Sequence, residues 1–382
     1  MAAPGATVGR LSVENYRSIR SLDLELGPLT VVTGANGVGK STLYRALELL
    51  HAAALGDLSH RLAAEGGMPS AMWAGAPWRD ESERGRMAQA RRPGPVRIYL
   101  SAEIEDLAYG LELGLPGPQD AAMKLDPVVK RETLQVLGRA RSGRRVMMAE
   151  RKGPTLMARD DAGKMSLVTR DLWLFETALS AAAAPDRHPE LDRMRRLLSA
   201  MRFHHQFRAD PASPLRGPQP AIMTPSLASD GVNWAAALAS LMMVEHDGFS
   251  QSAAARAVAE AFPGGELVLE EAAGVVSVGL QTAEFTRPFA APELSDGTLR
   301  FLVLTAALTA LRPPPFLALN EPEASLHPNL LVPLGDLIGA AAARTQLLVV
   351  THAEALADHL SVEHGAQIVR LEKRRGETCV LE

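Results

Sequence analysis

The chain has 382 residues and a mass of 40.8 kDa, the length of about 2.5 average domains. Apolar residues make up 47% and charged residues 22%, which is typical of a globular protein, and the net charge of −4 excludes a general polyanion binder while leaving room for local basic patches. One cysteine, Cys379, excludes a disulfide framework and a multi-cysteine zinc site. No apolar run approaches the ~20 residues of a membrane helix, and the first ten residues contain no apolar core of a signal peptide. We therefore expect a cytoplasmic protein with no membrane contact.

The first fifty residues predict three strands and a helix. Apolar residues alternate between Leu11 and Leu26, which predicts a two-strand meander, and Leu29–Val32 predicts a buried third strand. This strand runs into the glycine-rich segment Gly34–Thr42. A helical pattern follows, whose apolar face consists of Leu43, Ala46, Leu47, Leu50 and Ala54.

The middle of the chain predicts an α-rich region with some strands. Residues 56–95 read as a loop or a peripheral subdomain, residues 96–105 and 109–113 as strands, and residues 126–161 as a short helix with a hairpin. Further helices are predicted at 171–184, 189–203, 231–246 and 250–262, with an extended proline-rich segment at 207–225.

The last hundred residues alternate between strand and helix. After a small meander at 266–288, the pattern predicts helices at 295–311, 328–343 and 354–360, strands at 316–320 and 345–351, and a closing hairpin at 367–381. This alternation is typical of an α/β fold, in which a mostly parallel sheet is flanked by helices.

The segment Gly34–Ser41 fits the pattern G-x-x-x-x-G-K-[ST] and lies between a predicted buried strand and a predicted helix. In such a loop, backbone N–H groups at a helix N-terminus bind phosphate oxygens, a lysine adds positive charge and a serine hydroxyl binds Mg²⁺. Lys40 and Ser41 occupy these positions. The alternative is a glycine-rich turn with an incidental lysine, but the spacing and the context both favour a phosphate-binding loop.

Two further apolar strands end in polar residues. Strand 316–320 leads into Asn320-Glu321-Pro322-Glu323, where Glu321 could polarise a water molecule, and strand 345–351 leads into His352, at the strand end where ligands bind in open α/β sheets. The alternatives are a capped loop for Glu321 and an ordinary loop residue for His352; beside a phosphate-binding loop, His352 reads better as a γ-phosphate sensor.

The segment Leu294-Ser295-Asp296-Gly297 precedes a predicted helix, and it has two readings. Ser295 is a good N-cap residue, which is a purely structural role. Alternatively, Ser295, Gly297 and the backbone amides of this helix N-terminus form an anion site.

The order of these motifs resembles the ABC-type ATPase heads of the RecF, SMC and OLD-like group, and within it the compact bacterial "AAA family" predicted ATPases. The opening Asn15-Tyr16-Arg17-Ser18 also resembles the start of those heads. The resemblance implies a P-loop ABC-ATPase head with an antiparallel β lobe, formed by residues 8–55 and 264–382, and an inserted lobe at 56–263.

The resemblance also implies roles for individual residues. Glu321 would be the catalytic carboxylate and His352 the switch histidine, with Arg17 near the nucleotide. Ser295 and Gly297 would form a signature that contacts the ATP of a second subunit, and residues 324–327 would be the D-loop at the dimer interface. ATP and Mg²⁺ would be bound by the loop residues Gly34, Asn36, Gly37, Gly39, Lys40, Ser41 and Thr42.

Two features depart from the family pattern. Asn320 stands where the wider superfamily has an aspartate beside the catalytic glutamate, so the proposed metal site of Ser41 and Asn320 lacks one charge and slow hydrolysis is expected. The glutamine of the family's Q-loop has only two candidates, Gln119 and Gln135.

The resemblance predicts a homodimer that closes on ATP and opens after hydrolysis. Its output would involve DNA repair, DNA maintenance or phage defence, through the middle segment or a separate effector protein. Two basic stretches, Arg139–Lys152 and Arg193–Arg208, could bind DNA phosphates, and solvated surface is the equally weighted alternative. They contain Arg139, Arg141, Arg144, Arg145, Arg151 and Lys152, and Arg193, Arg195, Arg196, Arg202, His204, His205 and Arg208.

Two other functions stay open at this point. Asn320 is compatible with a degenerate scaffold that binds ATP without hydrolysing it. A nucleotide-binding subunit of a membrane transporter fits less well, because such subunits carry a longer, glutamine-containing signature and no middle segment of this length.

Overall fold

The computed structural model describes residues 7–75, 96–117, 123–138, 145–160, 162–244 and 253–381. The strands are β1 (Val8–Tyr16), β2 (Ile19–Glu25), β3 (Leu29–Thr33), β4 (Ile98–Ile104), β5 (Leu107–Gly114), β6 (Val128–Leu137), β7 (Arg145–Lys152), β8 (Thr155–Arg159), β9 (Met165–Thr169), β10 (Arg202–His204), β11 (Gln219–Pro220), β12 (Glu266–Ala272), β13 (Val275–Gln281), β14 (Phe289–Ala290), β15 (Phe316–Asn320), β16 (Gln346–Val350), β17 (Gln367–Arg374) and β18 (Glu377–Val380). The helices are α1 (Lys40–Leu55), α2 (Leu58–Ala64), α3 (Met68–Ala71), α4 (Ala178–Ala182), α5 (Pro189–Ser199), α6 (Trp234–Val244), α7 (Ala253–Ala261), α8 (Asp296–Leu308), α9 (Leu331–Ala342) and α10 (Glu354–His364).

The chain forms two compact units that do not follow its linear order. The first unit consists of residues 1–7, 27–33 and 201–369, and the second of residues 8–26, 34–200 and 370–382. This division differs from the sequence-based one, because β1 pairs with β4 and so joins the start of the chain to the middle segment. Because contact-based units and sequence-based domains are defined differently, the predicted domain limits at 55/56 and 263/264 stay a prediction.

The first unit is built on a parallel sheet in the order β10, β15, β16 and β3, and β17 begins in this unit. Its strands are buried almost throughout, as is typical of a parallel sheet covered on both faces. Apolar residues of the sheet and of α6 to α10 share one hydrophobic core. The predicted parallel sheet flanked by helices is confirmed. A small antiparallel sheet, β11-β13-β12 with β14 on β13, completes the first unit.

The register of the parallel sheet places the ends of three strands in one row. Asn320 at the end of β15 is paired with Val350 of β16, and Val350 is paired with Val32 of β3. The amide of Thr351 continues this row by donating to the carbonyl oxygen of Val32 over 3.1 Å. The residues that follow these strands therefore leave the sheet at the same edge.

The second unit contains an eight-stranded sheet in the order β2-β1-β4-β5-β6-β7-β8-β9, in which all neighbouring strands are antiparallel. Helix α1 packs on β1 and β4, and its predicted apolar face is buried. The antiparallel β lobe is thereby confirmed, with more strands than the sequence indicated.

The predicted short helix between residues 126 and 161 is wrong, because the described part of this interval contains β6, β7 and β8. Strand alternation is hidden there by charged residues that face the core. Arg151 is fully buried and donates to Glu132 over 3.0 Å, and Glu132 also accepts from the Tyr109 hydroxyl and the Ala178 amide. A charged residue in a sequence is normally taken to lie at the surface, so a buried charge that has a partner breaks the expected alternation of apolar and polar residues.

Candidate functional site

The glycine-rich loop of the second unit has the backbone geometry that phosphate binding needs. Gly34, Gly37 and Gly39 have φ angles of 142°, 76° and 109°, in a region that side-chain-bearing residues rarely adopt. Gly39 caps α1 without a side-chain acceptor. A helix N-terminus capped by glycine leaves backbone donors for an anion. Lys40 donates from Nζ to the carbonyl oxygens of Gly34 (2.5 Å) and Ala35 (2.9 Å), which holds the ammonium group against the loop.

Two hydroxyl groups from distant parts of the chain support this loop. Thr378 donates from Oγ1 to the carbonyl oxygen of Val38 over 2.7 Å, and its Oγ1 lies 2.8 Å from Oγ of Ser18. A Cβ atom on Gly39 would lie 2.3 Å from Thr378 Oγ1, and one on Gly34 would lie 2.2 Å from the carbonyl oxygen of Leu371. These two glycines are required by close packing as well as by their φ angles. The role of Thr378 has no signal in the sequence, because nothing in the local pattern connects it to a loop 340 residues away.

Arg17 lies next to Ser18, but its guanidinium group is held elsewhere. It donates to Glu65 from Nε (3.0 Å) and Nη2 (2.8 Å), and Glu65 also accepts from the Tyr16 hydroxyl. Burial lowers the pKa of Arg17, but the hydrogen bonds and charge of Glu65 outweigh burial and raise it overall. A nucleotide contact by Arg17 stays a prediction, and the geometry gives the side chain a structural partner instead.

In the first unit, three polar side chains meet after the ends of β15, β16 and β10. Glu321 follows β15 with a φ angle of 51°, and its amide donates to the carbonyl oxygen of Val350 over 2.7 Å. Its Oε1 lies 3.2 Å from Nε2 of His352, and its Oε2 accepts from Nε2 of Gln206 over 3.3 Å. A left-handed φ outside glycine costs on the order of 1–3 kcal/mol and is concentrated at functional sites. We refer to Gln206, Asn320, Glu321 and His352 as the acidic edge.

Glu323 fixes the turn that carries His352. Its Oε1 accepts from the Thr351 hydroxyl (2.6 Å) and from the amides of His352 (2.8 Å) and Ala353 (3.2 Å). The sequence contains this residue in its E-P-E pattern, but gives no sign that it orients the histidine. Gln206 was also missed, because 115 residues separate it from Glu321.

Asn320 offers an oxygen acceptor that the protein itself does not use. Among the described residues, its Oδ1 is buried and has no hydrogen-bond partner. Hard cations such as Mg²⁺ bind oxygen ligands, including amide oxygens. The residue present therefore fits the predicted metal site, although it is neutral.

The segment Ser295–Gly297 lies at the N-terminus of α8, as predicted. Ser295 accepts from the Thr298 amide over 3.1 Å, so the N-cap reading is correct. Arg216, 9% exposed, holds the segment by donating to the carbonyl oxygens of Leu294 (2.7 Å) and Ala291 (3.1 Å) and to Oδ1 of Asp296 (2.6 Å). Ser295 and Asp296 themselves are exposed.

Gly297 is required by a close approach to the predicted D-loop. A Cβ atom at this position would lie 2.8 Å from the carbonyl oxygen of Ser325. Ser295, Gly297, Ser325 and His327 line an open groove of about 460 Å³. This groove belongs to the first unit alone, and its Ser295 side faces solvent.

The two basic stretches do not form the predicted DNA surface as a whole. Arg139, Arg141 and Arg144 lie outside the described residues. Arg151 is fully buried and His204 is 2% exposed, so assigning these two to a DNA surface is wrong. The reason is that each serves packing: Arg151 in its ion pair with Glu132, and His204 against Phe207, with a ring distance of 5.3 Å.

Most of the remaining basic residues face carboxylates. The pairs are Arg145 with Glu103, Lys152 with Glu150, Arg193 with Glu105 and Asp106, Arg195 and Arg196 with Asp192, and Arg208 with Asp210. Arg202 donates to the carbonyl oxygen of Met201, and His205 is exposed. Of the two Q-loop candidates, Gln119 lies outside the described residues and Gln135 lies within β6, paired with Met147.

The fold and these motifs define a P-loop ATPase of the ABC type, similar to SMC and OLD-like proteins. A family model matches residues 29–358, and the chain belongs to this family, AAA_21, described as "AAA domain, putative AbiEii toxin, Type IV TA system". The predicted resemblance to ABC-type heads is confirmed. The individual roles of the site residues stay predictions.

The similar solved structures match nearly the whole chain at low sequence identity, whereas the similar curated protein matches a short segment at high identity. An SMC head bound to the C-winged helix domain of ScpA aligns over 98% of this chain and 97% of that one, with a TM-score of 0.52 and 15% identity, which concerns the fold alone. An SMC head domain from Thermotoga maritima aligns with a TM-score of 0.42 and 14% identity over 98% of each chain. The OLD nuclease of Thermus scotoductus is 49% identical over 49 residues, which span 13% of this chain and 8% of that protein.

Within the part of the chain that the structure describes, no helix combines the length and the apolar character needed to cross a bilayer.

Proposed function

We propose that this protein is a nucleotide-dependent switch that binds ATP with Mg²⁺, hydrolyses it slowly and forms a homodimer in its ATP-bound state. The observation that carries the proposal is the row of strand ends Asn320, Val350 and Val32 in the parallel sheet. Glu321 and His352 follow two of these strands, and Gly34 is the second residue after Val32. In the chain, the glycine-rich loop therefore follows directly after the third strand of this row.

In this proposal the loop binds the triphosphate and the acidic edge acts on its terminal phosphate. Backbone amides from Gly34 to Thr42, with Asn36, Gly37 and Gly39 among them, surround the phosphates, and the Lys40 ammonium turns from the loop carbonyls to a phosphate oxygen. Glu321 accepts a proton from the attacking water, and Gln206 and His352 hold its carboxylate in place. The His352 imidazole also donates to the γ-phosphate, so that it senses whether this group is present.

Ser41 and Asn320 would hold Mg²⁺ through their side-chain oxygens. The ion supplies charge neutralisation for the phosphate oxygens during hydrolysis. Asn320 contributes an amide oxygen rather than a carboxylate, so the site binds the ion with one negative charge less. This is the reason for expecting slow turnover, and its extreme form is the alternative of an ATP-binding scaffold without hydrolysis.

The proposed dimer uses Ser295 and Gly297 to contact the ATP of a second copy. The exposure of Ser295 beside an open groove that Gly297 also lines supports the proposal, because a partner's phosphate could reach the helix N-terminus there. The Arg216 contacts keep the segment rigid before any partner arrives. ATP would stabilise the closed dimer and ADP would not, which provides the differential affinity that a switch requires.

We further propose that the switch serves DNA repair, DNA maintenance or phage defence in the cytoplasm, through a separate effector protein or the middle segment. The protein that shares a 49-residue match with this chain is named a nuclease, which supports a process that involves nucleic acid. DNA binding through the basic stretches has weak support, since most of their described exposed side chains face carboxylates. DNA that raises the ATPase rate in a salt-dependent way would support it.

The experiment that tests the proposed function is a steady-state ATPase assay on the wild-type protein and Glu321→Gln. Glutamine keeps the size of the side chain and one oxygen acceptor but cannot accept the proton. We expect a rate at least ~100-fold lower for the variant, within the range of general base catalysis. Equal rates would refute the role of Glu321, and no turnover by either protein would favour the scaffold.

A further inference from the structure

A cluster of metal-ligating side chains lies away from the acidic edge, on the facing helices α9 and α10. Asp336 of α9 approaches two histidines of α10: its Oδ1 lies 2.8 Å from Nε2 of His359 and 2.9 Å from Nε2 of His364. The ligand atoms of all three lie within 4.8 Å of one another. The side chains are 43%, 17% and 23% exposed, so a solvated ion could enter.

Helix α9 leaves space for both imidazole rings. A Cβ atom on Gly335 would lie 2.4 Å from Cδ2 of His359, and one on Gly339 would lie 2.1 Å from Nδ1 of His364. These glycines flank Asp336 on consecutive turns. A glycine inside a helix costs about 1 kcal/mol relative to alanine, so this arrangement loses helix stability in order to bring the rings onto the carboxylate.

The donor set indicates which ion would bind. Two imidazole nitrogens and one carboxylate oxygen are typical ligands of Zn²⁺, which takes nitrogen at 2.0–2.1 Å and oxygen at about 2.0–2.2 Å. Two ligands at these distances lie roughly 3–3.5 Å apart in a tetrahedral site, and the observed separations from Asp336 need only a small adjustment. Mg²⁺ and Ca²⁺ prefer oxygen ligands, so this cluster differs in chemistry from the nucleotide's metal site.

A hydrogen-bonded cluster without metal is the competing explanation. Both Nε2 atoms would then carry a proton and donate to the same carboxylate oxygen. Burial raises the pKa of Asp336, but hydrogen bonds from the two histidines outweigh this and lower it overall, so the carboxylate is ionised at neutral pH. Uptake of Zn²⁺ distinguishes the two explanations, because only a metal site binds the ion.

We propose that Asp336, His359 and His364 form a Zn²⁺ site with three protein ligands and an open fourth position. The bound ion would link α9 to α10. Because α10 begins at Glu354, two residues after His352, the ion would anchor the helix that follows the switch histidine. This zinc site would form with or without bound ATP.

The test is zinc binding by the full-length protein without nucleotide, followed by competition with a chromogenic chelator and by metal analysis after dialysis. We expect one Zn²⁺ per chain in the wild type. Asp336→Asn retains a hydrogen-bond acceptor for the histidines but not the charge, and His364→Ala removes a ligand; each should weaken zinc binding by at least ~100-fold. His60→Ala removes an exposed histidine of the second unit and is the matched control, expected to leave binding unchanged.

Gly339→Ala is the sharpest variant, because it keeps every ligand and favours the helix while pushing His364 aside. We expect binding about 10- to 100-fold weaker, with circular dichroism like that of the wild type. Failure of the wild type to bind zinc would overturn the proposal, and so would equal binding by the wild type, Gly339→Ala and Asp336→Asn. Co²⁺ that gives a tetrahedral visible spectrum in the wild type and not in His364→Ala would support it.

Discussion

The glycine-rich loop and the acidic edge are both held by hydrogen bonds, but their residues are brought together differently. In the loop, the groups proposed to bind phosphate are neighbours in the chain, and Lys40 contacts carbonyl groups five and six residues before it. In the acidic edge, Gln206, Glu321 and His352 come from three separate strand ends and meet only in the folded sheet. The loop can therefore be recognised in the sequence as a motif, whereas the acidic edge forms only through the order and register of the strands. This difference suggests variants that separate binding from turnover.

The largest expected effect is that variants of Lys40 and His352 change different quantities: the first changes ATP affinity and the second changes turnover. Lys40→Ala should weaken ATP binding by up to ~100-fold, because a charge-assisted hydrogen bond is lost. His352→Ala should leave affinity within a few-fold and lower turnover by about 100-fold, the range for one donor to developing charge. Calorimetric binding and steady-state kinetics on both variants are the measurements. If both variants lose affinity equally, the loop and the edge do not have separate roles.

The second effect concerns pH and His204, which ends β10 two residues before Gln206. Burial lowers the pKa of His204 to about 4, against a hydrogen bond to the Ser229 carbonyl. The unfolded chain binds this proton near pH 6.5, so the stability gained from the neutral ring is complete above pH 6.5 and is lost as the pH falls towards 4. The loss is about 3 kcal/mol.

Urea unfolding between pH 7 and 4.5 measures this dependence, with His204→Gln as a variant that cannot titrate there. The wild type should lose more free energy of unfolding than the variant over this range. Parallel curves for the two proteins would show that His204 is not buried in its neutral form.

The third effect tests how Glu323 holds the histidine turn. Glu323→Ala leaves the Thr351 hydroxyl and two amides without their acceptor, and we expect about 2 kcal/mol lower stability of the first unit. Thr351→Val removes one of these donors and should cost about 1 kcal/mol. Hydrogen exchange at the amides of His352 and Ala353 should accelerate in Glu323→Ala and far less in Thr351→Val. Unchanged exchange in both would mean that the turn is held by other contacts.

The smallest effect concerns the support of the loop by Thr378. Thr378→Val keeps the shape of the side chain but loses the hydrogen bonds to Val38 and Ser18, worth about 1 kcal/mol, so ATP affinity should fall roughly 5-fold. Thr305→Val removes a buried hydroxyl that bonds within α8 and serves as the control. An equal change in both variants would mean that the support is not specific to the loop.

The sequence predicts the features whose residues are close together in the chain, and it does not predict those whose residues are far apart. The glycine-rich loop, the N-cap Ser295 and the buried strands around residues 316–320 and 346–350 are local patterns, and the structure has these elements where the sequence predicts them. The strands β6 to β8 were misjudged, because the buried Glu132 and Arg151 interrupt apolar alternation.

Contacts between distant residues could not be predicted at all. His359 belongs to none of the motifs in the sequence, yet it meets Asp336 because α9 and α10 pack against each other. Thr378 reaches the glycine-rich loop from the last hairpin. Each of these contacts depends on tertiary packing, which a single sequence does not encode as a recognisable spacing.

The most direct test of the central claim is the oligomeric state of Glu321→Gln and Lys40→Ala, measured by analytical ultracentrifugation with ATP and Mg²⁺ and again with ADP. The account predicts that Glu321→Gln, which holds ATP without cleaving it, sediments as a dimer with ATP and as a monomer with ADP. Lys40→Ala should sediment as a monomer in both. Identical sedimentation of the two variants under all conditions would contradict an ATP-closed dimer.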